Sequence, residues 1–70
     1  MSPHDGDTLR GLAIDAVDDE GRGRTTRELD GALWDIAVRG ALPGDVLDAV
    51  VERVWPARTL LQVRRLSQMV

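Results

Sequence analysis

The stretch EGRGRTTREL, from Glu20 to Leu29, gathers Arg22, Arg24, Thr25, Thr26 and Arg27 within one short run. Guanidinium groups, hydroxyls and close-approaching glycine backbone are the parts of an anion cradle. A helix starting just after them would add unpaired N–H groups and the positive end of its dipole. The same residues also read as a capped linker. Thr25 and Glu28 have the spacing of a capping box, in which the hydroxyl and carboxylate occupy the N–H groups an anion would want. Asp18, Asp19 and Glu20 upstream, with Glu28 and Asp30 downstream, neutralise the arginines, and no phosphate-loop or dinucleotide glycine pattern is present. The capped linker is the stronger expectation and the anion site the second.

Other chemistry has fewer parts. His4 stands third once the initiator methionine is removed, in Ser-Pro-His, the place of an N-terminal copper or nickel site. That site needs a deprotonable amide on the second residue, which Pro3 lacks. With Asp5 and Asp7, His4 therefore reads as a solvated tail, and no metal or cofactor is expected. The chain has one histidine and no cysteine, tyrosine or lysine, so the usual nucleophiles and general bases are nearly absent. Ser67 has no histidine near it in sequence. The expectation is a protein that is not an enzyme.

Seventy residues make one domain of marginal burial, and without cysteine it has no disulfides to help. All the basic residues are arginine and asparagine is absent, the codon bias of a GC-rich bacterial genome. The net charge of −3 argues against a coat for nucleic acid. Its distribution is banded: residues 1–20 and 28–52 are acidic, whereas 21–27 and 53–70 are basic. Banded chains can pair with a partner or with another copy. No apolar run approaches the roughly 18 residues of a membrane span, and the cytoplasm is the expected compartment.

Helical spacing dominates the reading of the elements. Residues 1–6 are expected to form a flexible arm and residues 7–70 a single helical domain. Asp7 or Thr8 caps a first helix carrying Leu9, Leu12, Ala13, Ala16 and Val17 at helical intervals. The Thr25 box opens a second helix with Leu29, Ala32, Leu33, Ile36 and Ala37 on one face, stopped by Gly40. GALPGD is a turn, and Val46, Leu47, Val50, Val51 and Val54 form the stripe of a third helix. Four valines lower its helix propensity, but the period outweighs them. Pro56 opens a fourth helix in its tolerated first turn. The predicted fold is all-α, a compact three- or four-helix bundle with short loops.

On that frame, DIAVRGALPGDVLDAVVERV has the apolar spacing of a helix-turn-helix, but Asp45 and Asp48 stand where base-reading side chains are needed. The last helix carries more apolar residues than one bundle face uses, rimmed by arginines, a residue enriched at interfaces. The leading functional expectation is a small helical protein–protein interaction module, a self-associating regulatory or adaptor subunit. Its partner-binding residues would be Trp55, Leu61, Arg64, Arg65 and Met69. The second expectation is a nucleic-acid-associated regulator with a helix-turn-helix shape, anchored through Arg22, Arg24 and Arg27 or through Arg58, Arg64 and Arg65.

The segments ELDGALWDI and VWPARTLLQVRRL resemble the four-helix acyl and peptidyl carrier proteins, which are small and acidic and have a proline-led last helix. Gly31 stands at the place of their prosthetic-group serine, so the resemblance implies a similar bundle without phosphopantetheine.

Overall fold

The computed structural model describes residues 3–66, and these form a curled six-stranded half-barrel, not a helical bundle. Its strands are β1 (Thr8–Ala13), β2 (Ala16–Val17), β3 (Arg22–Leu29), β4 (Ala32–Arg39), β5 (Val46–Trp55) and β6 (Leu60–Arg65). They lie in the order β1-β5-β6-β4-β3-β2, antiparallel except for the parallel pair β4 and β6. One 3-10 turn, Pro56–Arg58, joins β5 to β6, and there is no α-helix among the described residues.

Each predicted helix is replaced by strand for a local reason. In β4, Trp34, Ile36 and Val38 alternate into the core, and Leu33, Asp35 and Arg39 alternate outward. In β5, Leu47, Ala49 and Val51 do the same, with a small alanine in the middle that hides the period. The valines of β5 are β-branched and favour the pleated sheet. β3 buries Gly23 and Thr25, neither of which registers as a hydrophobic position. The expected capping box is dissolved: Thr25 lies opposite Ile36 inside the barrel, and Glu28 is exposed opposite Leu33.

Two β-bulges produce the spacing that looks helical. Gly11, with φ +62°, interrupts the register of β1, so both Leu9 and Leu12, three apart, face inward. The Asp48 carboxylate accepts the Gly11 N–H at 2.9 Å and fixes the irregularity. In β5 the register jumps between Val51 and Arg53, leaving Glu52 as the extra residue. After it Val54 turns inward opposite Leu61, three residues past Val51. A bulge shifts side-chain parity by one and converts a period of two into an apparent period of three.

The turns close the argument. Asp30 and Gly31 both have positive φ, 50° and 82°, the two-residue hairpin geometry that Asp-Gly adopts. The segment expected to run as one helix from Thr25 to Gly40 is therefore the β3–β4 hairpin. GALPGD is a turn as expected, but between strands; the Asp45 carboxylate accepts the Leu42 N–H at 3.0 Å. It cannot position a recognition helix, because β5 follows it.

The core lies inside the curl and includes Leu12, Ile36, Val38, Leu61 and Val63, all essentially inaccessible to solvent. Gly23 is the tightest point. A Cβ there would sit 2.8 Å from both the Ala41 Cβ and the Ala41 carbonyl oxygen.

Candidate functional site

The segment from β1 to β2 is one bent strand. Its first half pairs with β5 and its second with β3, while Ile14 and Asp15 between them bond Asp45 and Arg24. The sheet therefore closes on itself at that bend. Farther along, β3 and β1 diverge, and the gap is spanned by one side chain. The Arg27 guanidinium donates to the Arg10 carbonyl at 2.9 Å and the Gly11 carbonyl at 3.0 Å. A cavity of about 210 Å³ opens beside this staple, lined by residues including Pro3, Leu9, Leu29 and Asp30. Pro3 is buried, and the Gly6 N–H bonds the Val51 carbonyl at 2.8 Å, so the residues just before β1 lie against β5.

The arginines of the anion-cradle expectation are spent on the fold. Asp18, in the turn between β2 and β3, accepts the backbone N–H groups of Arg22 and Glu20, each at 2.9 Å. Its carboxylate also takes Arg22 Nε at 2.9 Å and Arg24 Nη1 at 3.3 Å. The Arg22 backbone N–H is the main cause that draws the Asp18 pKa down to about 2, with the Glu20 N–H and the two guanidinium groups adding to it against partial desolvation. Arg22 also meets Glu20 at 3.1 Å. Arg27 is the staple; Thr25 is buried, Thr26 is exposed, and the three arginines are half-buried. The five residues are thus brought onto one strand but point to different sides of it, since neighbours on a strand alternate.

The outer face across β4, β6 and β5 is organised differently. Cross-strand register sets Arg24, Ala37, Gln62 and Arg53 in one row, and Asp35, Leu60 and Trp55 in the next. The Glu52 bulge makes this possible, because it turns Arg53 and Trp55 outward together. The Arg53 guanidinium lies 5.6 Å from the Trp55 ring centroid, within cation–π range. Arg39 ends β4 and lines two adjoining hollows that share Gln62. One, of about 220 Å³, is completed by Glu20 and Arg22. The other, of about 330 Å³, is completed by Glu52, Val63, Arg64 and Arg65.

Among the described residues Arg10, Arg27, Arg39, Arg53 and Arg58 make no ion pair, Arg27 bonding backbone carbonyls instead. Arg65 is held by Asp45 at 3.0 Å. Arg64 meets Glu52 only at 3.9 Å, with both side chains largely in water. Such an exposed, stretched pair contributes little.

The expected partner-binding residues are divided by this arrangement. Trp55, Arg64 and Arg65 lie on or beside the outer face. Leu61 is fully buried opposite Ile36 and Val54 and holds β6 in the core. Met69 lies outside the described residues. Arg39, Arg53 and Gln62 were not singled out by sequence reasoning. Arg39 was read as the last turn of a helix, and only strand register brings it beside Gln62. Among the described residues, no group of three His, Cys, Asp or Glu side chains is arranged to hold a metal ion, and no helix is long and apolar enough to cross a membrane. No protein-family model matches the chain, and no curated protein matches it.

Proposed function

We propose that this chain is a small β-barrel recognition module that binds a protein through the outer face of β4, β6 and β5 and performs no chemistry of its own. The observation that carries the reading is the pairing on that face: among the described residues Arg39 and Arg53 have no carboxylate partner, although the chain is acidic overall. Arginine and tryptophan on a shallow surface are the residues that dominate binding energy at protein interfaces. The helical docking face built on Leu61 and the helix-turn-helix alternative are both withdrawn, because neither helix exists.

Fold analogy overlaps this face only at β4. With β1 and β2 counted as one bent strand, the order is that of a five-stranded Greek-key barrel of the OB type, whose ligands bind on the face of its second and third strands. Those strands correspond to β3 and β4. The analogy supplies a location and no ligand.

A photo-reactive amino acid at Gln62, compared with one at Ala32 at the exposed tip of the β3–β4 hairpin, tests the reading in the native cells. The expected result is one cross-linked protein from Gln62 and none from Ala32. That protein, purified, should bind the wild-type chain and lose affinity for Arg53→Glu. Identical products from both positions, or none from either, sink the reading.

A further inference from the structure

We infer that the open end of the barrel, between β1 and β3, takes a short extended peptide segment of another protein, which pairs with both strand edges and sends one basic side chain in between Leu9 and Leu29. The site is separate from the β4–β6–β5 face and does not rest on the recognition reading above. Hydrogen bonds fix the direction of both edges. The Arg22 and Arg24 carbonyls point to the β2 side, where the Asp18 and Asp15 N–H groups donate to them at 2.9 and 3.2 Å. Main-chain direction alternates along a strand, so Glu28 turns its N–H and C=O to that same side, past the end of β2 pairing at Arg24. On β1 the Asp7 carbonyl accepts the Val51 N–H at 2.8 Å, so Asp7 faces β5 and Thr8 faces the gap. Among the described residues neither Thr8 nor Glu28 has a main-chain partner on the gap side. The Arg27 staple closes the gap farther in, which leaves a mouth where a strand can be added.

The cavity at this mouth selects the side chain. Its volume of about 210 Å³ is below the roughly 300–1,000 Å³ of small-molecule pockets and suits a single side chain. Pro3, Leu9 and Leu29 give an apolar wall for a methylene stem, and Asp7 and Asp30 are the charged residues of the lining. Among the described residues no base lines the cavity, and neither carboxylate has an ion pair. Asp7 accepts the His4 N–H at 2.9 Å and keeps its second oxygen. Arg27 turns its guanidinium away, onto the Arg10 and Gly11 carbonyls at the staple end. A neutral or acidic side chain would leave both carboxylates unanswered, whereas an ammonium or guanidinium group meets them with charge-assisted hydrogen bonds. The net charge of −3 works in the same direction.

The test is titration of the full chain, followed by amide NMR, with a capped pentapeptide of lysine between two valines and a threonine at each end. A peptide with glutamate for the lysine, and one with proline for both valines, are titrated in parallel. The lysine peptide is expected to shift the amides of Thr8, Glu28 and Asp30, to slow hydrogen exchange at Thr8 and Glu28, and to leave Gln62 unchanged. The glutamate peptide should not bind, and the proline peptide, without its N–H donors, should lose most of the affinity. Asp30→Asn keeps a residue that accepts the positive φ of the hairpin and should weaken binding about fivefold, the upper end for one partly exposed ion pair. Arg53→Ala, on the outer face, should leave this binding unchanged. Ala32 lies on β4, beyond β3 and outside the cavity lining, so a segment in the mouth stays clear of it. No response to the lysine peptide, an equal response to the glutamate or proline peptide, or an unchanged affinity in Asp30→Asn overturns the inference, whatever is cross-linked from Gln62.

Discussion

Two sets of arginines divide this molecule. Those of β3 are consumed internally: Arg22 and Arg24 converge on Asp18, and Arg27 spans the open side of the barrel onto two backbone carbonyls. On the β4–β6–β5 face Arg39 and Arg53 meet no acid among the described residues, Arg64 meets Glu52 only at 3.9 Å, and Arg65 at its edge is held by Asp45. The same residue type thus serves closure in one region and is left available in the other. An arginine count or a charge band says nothing about which is which, because the distinction lies in what the sheet places opposite each side chain.

The comparison can be broken most severely at Gly23, on the internal side. Gly23→Val should destabilise the fold by about 3 kcal/mol, since the added atoms meet Ala41 and Ile14 at under 3 Å. Chemical denaturation should show the loss as a lower midpoint. Next comes the staple. Arg27→Ala should cost about 1 kcal/mol, because water reaches the two exposed carbonyls it releases, and amide exchange should rise along β1 and the second half of β3. Arg27→Lys should restore only part of the protection, because a lysine cannot span both oxygens with a planar fork.

A smaller effect is expected at Asp18, and it carries a pH signature. Its pKa is about 2 in the folded chain against an ordinary 3.8, so its contribution is fully present above about pH 4 and is lost as pH falls through about 2. Asp18→Asn should therefore lower the thermal midpoint at neutral pH and flatten its dependence between those limits. A retained slope would assign the acid sensitivity to other carboxylates. The smallest effect belongs to the other region: Arg39→Ala and Arg53→Ala should each change stability by less than about 0.5 kcal/mol while altering binding. Equal destabilisation in both regions would erase the distinction.

The sequence shows many of the residues of the core and where the chain turns, but not the elements between. Leu9, Leu12, Ile36, Leu47 and Val63 are all apolar positions of the helical reading and are all buried. Gly40, Pro43-Gly44 and Trp55-Pro56 are all at element ends. Two local signals pointed to strand and were outweighed. Asp30-Gly31 between Leu29 and Ala32 is the dipeptide of a tight hairpin, and the β5 valines prefer a sheet. In β1 and β5 the apparent helical period came from the bulges at Gly11 and Glu52, each of which sets two inward residues three apart; in the unbroken β3–β4 hairpin it came from counting the exposed Ala32 and Leu33 as core.

What the sequence alone determined is composition and its exclusions: one small domain without thiol chemistry, a banded charge, and a supply of apolar side chains sufficient for one core. Those follow from residue types and counts, which no fold can change. Tertiary structure decided the rest. Strand register joined Ala37, Gln62 and Arg53 from three separate strands, with Arg39 two residues farther along the same face, and a single bulged residue chose which side of the sheet Trp55 faces. Parity along a strand is set by pairing with a neighbour distant in sequence, and that pairing exists only once the sheet has curled.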